Sequence, residues 1–122
     1  MPTQKERIDR ALRTLRGRRI TTTLVHDTRG VDPEAYRAVC AQAAHRAGTR
    51  HRWLAIPVPG SRWGDDGCLV TAAGEPVDRL LVYYPPKCPT DVTHAAVQAF
   101  FHQGFRVRWY DDGRQPIHVF LT

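Results

Sequence analysis

The chain has 122 residues, of which 42% are hydrophobic and 25% are charged. This length and balance favour one globular domain, residues 1–122, and exclude a disordered or fibrous protein. No apolar run approaches the ~20 residues that span a bilayer, and the N-terminus lacks the apolar core of a secretory signal. We therefore expect a cytoplasmic protein of bacterial type that does not bind a membrane.

The positive charge is concentrated at the N-terminus. Residues 1–19 carry seven basic and two acidic side chains, a balance of +5, whereas the whole chain carries +6. A basic face on one helix is typical of proteins that bind polyanions such as nucleic acids. Arginine outnumbers lysine 16 to 2, so an arginine-rich genome is the alternative explanation. The basic residues of this segment are Lys5, Arg7, Arg10, Arg13, Arg16, Arg18 and Arg19.

The first predicted element is a helix that begins after Thr3 and ends at Gly17. Thr3 and Glu6 have the spacing of a capping box, in which the two side chains satisfy free N–H groups of the first turn. The helical spacing of four apolar residues predicts a buried face: Ile8, Ala11, Leu12 and Leu15. Arg10 and Arg13 project from the opposite face, so the helix is expected to pack on a core and show arginines outward.

A β-α-β unit follows this helix. The β-branched run Ile20–His26 predicts the first strand. An Asp-Pro-Glu sequence at residues 32–34 begins a second helix, because aspartate caps it, proline fits its first turn and glutamate favours its dipole. Gly48 ends this helix. The next strand, Arg52–Val58, contains Pro57, so we expect it to lie at a sheet edge or to stop early.

The middle of the chain is rich in glycine. Residues 59–67 are predicted to form a loop, and loops of this length are often functional. The loop carries Arg62 and Trp63, and we expect the Trp63 side chain to be exposed. Residues 68–72 then predict a third strand.

The stretch from Leu80 to Tyr110 predicts a second strand–helix–strand unit. Leu80–Tyr84 is an apolar, aromatic run that two prolines end. Thr90 suits the N-cap of the helix and Gly104 the position just past its end. The predicted apolar face of this helix consists of Thr93, Ala96, Val97, Phe100 and Phe101.

Two strands are predicted at the C-terminal end. Phe105–Tyr110 alternates large apolar residues with Arg106 and Arg108, which places both arginines on one face of the strand. The Asp-Asp-Gly-Arg sequence at residues 111–114 predicts a hairpin to a last strand, Pro116–Leu121. We therefore predict an α/β fold, with α+β as the alternative. Three helices cover one mixed sheet of five or six strands in the order α-β-α-β-β-β-α-β-β.

Polar residues at the ends of the predicted parallel strands suggest a catalytic alternative. In open α/β sheets ligands gather beyond the carboxyl ends of these strands, where His26, Asp27 and Cys88 are expected. Cys88 lies beside Lys87 and just before a helix, and both features lower a thiol pKa. With His26 as base and Asp27 as its orienting partner, Cys88 would be the nucleophile of a small hydrolase or nuclease-like enzyme.

Neither a cofactor nor a metal site is predicted. Asp27, Asp111 and Asp112 could supply acidic ligands, but the last two are more simply part of a hairpin turn. The glycine-rich loops that bind nucleotides are absent from the sequence. The three cysteines are widely spaced and odd in number, which argues against a disulfide framework and a structural zinc site.

Nucleic-acid binding, to DNA or RNA, is the leading functional hypothesis. The basic helix would contact phosphates, and arginines beside tryptophan would add base stacking. The residues assigned to this role are Arg7, Arg10, Arg13, Arg16, Arg18, Arg19, Arg50, Arg52, Arg62 and Trp63. A non-catalytic module for protein interaction or homo-oligomeric assembly is the remaining alternative, because the sequence ends within a strand and a terminal edge strand can pair with a second copy.

Overall fold

A computed structural model describes residues 2–25, 41–42, 44–46, 48, 51–57, 62–71, 73–85, 87–110 and 115–121. The N-terminal helix is Gln4–Gly17 and the C-terminal helix is Thr90–His102, and residues 41–42 and 44–46 are also helical, as predicted. The strands are β1 Thr21–Val25, β2 Trp53–Pro57, β3 Arg62–Trp63, β4 Leu69–Val70, β5 Arg79–Val82, β6 Arg106–Arg108 and β7 Ile117–Phe120. The protein therefore has the predicted mixed α/β fold. The element order differs in β3, which forms where a loop was expected.

The N-terminal helix begins as the sequence predicts. Thr3 is the N-cap residue, and its Oγ1 accepts a hydrogen bond of 3.2 Å from the backbone N–H of Glu6. All four residues of the predicted apolar face are buried: Ile8, Ala11, Leu12 and Leu15. Their alternation with basic residues at helical spacing fixes which side of the helix meets the core.

The parallel pair of the sheet is β1 and β2, the strands of the first predicted β-α-β unit. β2 is buried along its whole length and includes Pro57 as its last described residue, so the expectation that proline stops this strand stays a prediction, because residue 58 lies outside the described residues. The alternative, an edge position, is wrong. Ala55 and Tyr83 exchange two backbone hydrogen bonds of 2.9 and 2.8 Å, which join β2 to the end of the β5 segment.

The antiparallel part of the sheet has the spatial order β5-β7-β6. β5 and β6, the strands of the second predicted unit, run parallel to each other but do not pair, because β7 lies between them. The predicted hairpin between β6 and β7 is confirmed, although residues 111–114 lie outside the described residues. β7 is hydrogen-bonded on both sides, so the expectation that the last strand is a free edge is wrong.

Taken together, the strands follow the order β1-β2-β5-β7-β6. The predicted single sheet is correct only in part, since one bridge at Ala55 and Tyr83 joins a parallel ladder to an antiparallel one. β3 and β4 form a separate hairpin.

Both long helices contribute to one hydrophobic core on the same side of the β5-β7-β6 sheet. The core includes Leu80 and Val82 of β5 and Ile117 and Val119 of β7, together with apolar residues of both helices. The buried residues of the C-terminal helix are Val92, Thr93, Ala95, Ala96, Ala99 and Phe100. Phe101, predicted to share this face, is 66% exposed, because the helix is rotated so that its alanines face inward.

Candidate nucleic-acid interface

The N-terminal helix and the turn after it carry a group of exposed cations, the helix surface. Its members are Lys5, Arg10, Arg13, Arg16, Arg18 and Arg19, all of them exposed. In the part of the chain that the structure describes, no carboxylate pairs with any of them, and the salt bridge found there joins Arg52 and Asp91. Within the described residues, folding therefore leaves the positive charge of the helix surface without ion pairs that neutralise it.

Arg7, which was assigned to the same surface, has a different position. Its Nε donates a hydrogen bond of 2.7 Å to the carbonyl oxygen of Gln103, and its guanidinium lies 4.1 Å from the centroid of the Phe105 ring. The side chain is half-buried between the N-terminal helix and the end of the C-terminal helix. Arg7 therefore ties the two helices together and is not presented to solvent as Arg10 and Arg13 are.

The end of the N-terminal helix has an unusual residue in the left-handed backbone region. Arg19 has φ 61°, and the N–H of Ile20 donates to the carbonyl of Leu15 at 3.1 Å. This is a Schellman ending, in which the left-handed position is normally glycine. The prediction that Gly17 ends the helix is thus right for the last helical residue, but the strained conformation falls on an arginine.

The C-terminal helix ends in the same way with the expected residue. Gly104 has φ 86°, and the N–H of Phe105 donates to the carbonyl of Phe100 at 3.2 Å. Gly104 therefore occupies the position predicted for it. The expectation for Thr90 is off by one residue, because Pro89 is the N-cap and Thr90 is already helical.

A depression of about 380 Å³ opens beside the end of the N-terminal helix. It is lined by Arg16, Arg19, Ile20, Thr21 and Thr22. Arg16 is held there by a hydrogen bond of 3.0 Å from its Nε to the Thr22 Oγ1. Because this partner is neutral, the hydrogen bond does not neutralise the positive charge of the guanidinium. Arg16, Arg19 and the start of β1 thus line a space that is open to solvent.

Arg52 is a structural residue in this arrangement. One guanidinium nitrogen donates to Asp91 Oδ2 at 2.8 Å and the other donates to the carbonyl of Arg18 at 3.0 Å. The hydrogen bond from Arg52 lowers the pKa of the Asp91 carboxyl. Arg52 therefore joins the end of one helix to the start of the other, and two of its five N–H donors are already used. Arg50 lies outside the described residues.

Arg62 and Trp63 do not join the helix surface. They form β3, which pairs with β4 in a short hairpin. Arg62 is exposed, but Trp63 is partly buried against the hydrophobic core, so the expectation of an exposed Trp63 is wrong. Trp63 lies in the β3-β4 hairpin with its indole partly buried, and the glycine-rich composition of the segment did not predict this.

The outer face of the β5-β7-β6 sheet forms a second basic surface, the sheet surface. Register places Arg79 and Arg106 on either side of Phe120, and Leu81 and Arg108 on either side of His118. These residues alternate with the core residues of the same strands, so they lie on the side of the sheet away from both long helices. All three arginines are exposed.

Aromatic rings lie among these arginines. The His118 and Phe120 rings are stacked with centroids 6.3 Å apart, and Tyr110, 47% exposed, lies 6.1 Å from His118. The Arg106 guanidinium is 5.3 Å from the Phe120 centroid and that of Arg108 is 5.4 Å from Tyr110. Burial, and then the charges of neighbouring Arg79 and Arg108, lower the pKa of His118. The sheet surface is therefore positive and aromatic at once.

The sheet surface was only partly predictable from the sequence. It placed Arg106 and Arg108 on one face and showed the alternation of the last strand, but Arg79, His118 and Phe120 were not assigned to a site. Their common signal is an alternating pattern of core and polar or aromatic residues in three strands. The alternating pattern does not reveal the strand order that brings these three residues together.

The structure does not support the expectation of an activated thiol at Cys88. Burial and the charge of Asp91 raise the pKa of the Cys88 thiol to about 11, although Arg52 opposes the shift. Its Sγ lies 3.9 Å from the carbonyl oxygen of His51. The proposed partners His26 and Asp27 lie outside the described residues. The expectation that the helix end and Lys87 lower the thiol pKa was therefore wrong, because burial and the charge of Asp91 raise it.

Among the residues that the structure describes, no group of histidine, cysteine and acidic side chains is arranged to hold a metal ion. Within the same residues, no helix has the length and apolar character required to cross a membrane. No family model matches the chain, and neither a curated protein nor a solved structure shows significant similarity to it.

Proposed function

We propose that the protein binds nucleic acid through phosphate contacts made by the helix surface. The observation that carries this proposal is the set of six exposed cations that have no carboxylate partner in the described part of the chain. Phosphate groups supply the missing negative charge, and the release of their counterions drives such binding. The contacts are independent of base sequence, since no base-reading motif is present.

The strained backbone at Arg19 supports this assignment. A left-handed conformation costs a residue with a Cβ about 1–2 kcal/mol, which glycine at this position avoids. Such strain is found most often at functional sites. Together with Arg16, Arg19 flanks the depression beside Thr21 and Thr22, where guanidinium groups and hydroxyls are suitable donors to a phosphate.

The cytoplasm, the location expected from the sequence, is part of the proposal. Cys68 and Cys88 are free thiols, as is usual in a reducing compartment. Assembly through strand pairing stays a prediction with less support. β6 is an edge of the antiparallel sheet and presents Arg106 and Arg108, and charged side chains on an edge strand discourage pairing with a second copy.

The test is a binding titration of the full chain against labelled duplex and single-stranded nucleic acid as the salt concentration is raised. Affinity should fall linearly on logarithmic axes, with each lost phosphate contact reducing the slope by about 1. Arg10→Glu combined with Arg13→Glu should weaken binding at least about 100-fold at low salt, because reversal replaces attraction by repulsion.

A matched variant separates position from net charge. Arg46→Glu combined with Arg62→Glu changes two other exposed arginines and alters the net charge equally. We expect this pair to weaken binding less than about 10-fold. Equal losses in the two variants would exclude the helix surface as the binding site, and absence of binding by the unmodified protein at low salt would overturn the proposal.

A further inference from the structure

We infer that the sheet surface binds single-stranded nucleic acid, with bases stacked on Phe120, His118 and Tyr110 and phosphates held by the flanking arginines. This inference rests on the function proposed above and specifies the form of nucleic acid that the protein prefers. It concerns a surface different from the helix surface, on the other side of the sheet.

The aromatic side chains are positioned for stacking. His118 and Phe120 are two residues apart on the central strand, and their rings are inclined by only 24° with centroids 6.3 Å apart. They therefore offer neighbouring ring faces in similar orientation. Tyr110, beyond the end of β6, adds a third ring, inclined by 81° to that of His118. Sheets whose aromatic residues stack two or three bases are a common means of holding single strands.

The arginines provide the complementary charge. Arg79 on β5 and Arg106 on β6 lie opposite Phe120 on its two sides, and Arg108 lies opposite His118. None of the three is paired with a carboxylate in the described residues. A strand whose bases lie over β7 would have phosphates within reach of both flanking strands. The Arg106 guanidinium, which lies over the Phe120 ring, would then move off the ring and bind a phosphate.

A single strand fits this surface better than a duplex does. The bases of a duplex stack on one another and expose only their edges in the grooves, so a sheet cannot reach their faces. Unstacked bases offer both faces, and stacking on protein side chains is largely independent of base identity. The sheet surface should therefore bind single strands in preference to duplexes, with little dependence on base sequence.

The test compares a thymidine oligonucleotide with an abasic oligonucleotide of equal length and equal phosphate charge. The two probes differ only in the bases. We expect the full chain to bind the thymidine probe about 10-fold more tightly, and Tyr110→Ala and Phe120→Leu each to reduce that affinity about 5- to 100-fold. Binding of the abasic probe should change less than about 2-fold in both variants, because its phosphates still meet the arginines.

Phe101→Ala is the matched control. Phe101 is 66% exposed on the C-terminal helix, so the variant removes an exposed ring away from the sheet surface and should leave the affinity of both probes unchanged. If Phe120→Leu does not fold, Tyr110→Ala still tests the inference, because Tyr110 lies outside the strand and is 47% exposed.

The outcomes distinguish the two proposals. Equal binding of thymidine and abasic probes, with no effect of either aromatic variant, would overturn the role of the sheet surface and leave phosphate binding by the helix surface intact. Absence of binding to both probes and to a duplex at low salt would overturn both. A reduction by Phe101→Ala equal to that by Tyr110→Ala would also overturn the inference, since it would show no preference for the sheet surface.

Discussion

The helix surface and the sheet surface carry the same dominant cation but differ in what lies beside it. On the helix surface the arginines lie among other charged side chains and threonines, with no aromatic residue in the helix, which suits contacts to phosphates. On the sheet surface three arginines surround His118 and Phe120, so charge and ring faces are presented together. The difference shows that arginine content alone does not define a binding mode. The spacing of helix or strand decides which side chains the arginines accompany.

A reactive Cys88 would contradict the assignment of function to these two surfaces, because it would indicate a catalytic site. With its pKa raised from 9.0 to about 11, Cys88 has about 100-fold less thiolate at mildly alkaline pH than it has in the unfolded chain. Its alkylation by iodoacetamide should be slower by that factor, measured on the Cys88 peptide by mass spectrometry in the native and urea-unfolded protein.

The sign of the pH dependence follows from the same shift. Because the folded state favours the neutral thiol, this contribution to stability is complete below the unfolded pKa and is lost as the pH rises from about 9 towards 11. Native alkylation as fast as that of the unfolded chain would restore the catalytic alternative.

Exchange of arginines for glutamine at each surface tests whether the two surfaces bind different forms of nucleic acid. Arg106→Gln with Arg108→Gln should weaken binding of a single strand about 10-fold and leave duplex binding within about 2-fold. Arg10→Gln with Arg13→Gln should weaken both about 10-fold and lower the salt slope by about 2. Both pairs remove two charges, so each serves as the control for the other in the same titration. Identical behaviour of the two pairs would mean that the surfaces are not distinct.

The smallest expected effect concerns the strained residue of the helix surface. Arg19→Gly should stabilise the protein by about 0.5–1 kcal/mol, because relief of the left-handed strain exceeds the added entropy of unfolded glycine. The same change should weaken phosphate binding severalfold through loss of one guanidinium. Urea unfolding and duplex titration measure the two effects on one sample.

Gly104→Ala is the matched substitution at the other helix end. Gly104 has φ 86°, and an added Cβ would lie 3.0 Å from a guanidinium nitrogen of Arg7, so this variant should be destabilised. If Arg19→Gly were also destabilising, the strain at Arg19 would not explain the difference between the two helix ends.

Local elements were predictable because their signals are local. The capping pair Thr3 and Glu6 and the apolar spacing of the first helix determine its start and its buried face, and turn residues 111–114 mark the hairpin. Strand order was not predictable, since β7 enters between β5 and β6 through pairings distant in sequence.

The positive charge of the candidate site was predictable from the sequence, but the full set of residues that form it was not. The exposed arginines of the first helix follow from its periodicity. The contact of Arg7 was not predictable because its partner Gln103 is 96 residues away, and the raised thiol pKa of Cys88 was not predictable because burial depends on packing that the sequence does not display. His118 and Phe120 were missed as a pair because only the completed sheet places arginines on both sides of them.

The central position of β7 has a consequence for how the chain folds. β5 and β6 both precede β7 in sequence, yet each pairs with β7 and neither with the other. Until β7 pairs with them, both strands have backbone groups unpaired on the sides that β7 will occupy. A folding intermediate that lacks β7 therefore presents two open edges, the form in which strands associate wrongly with other chains.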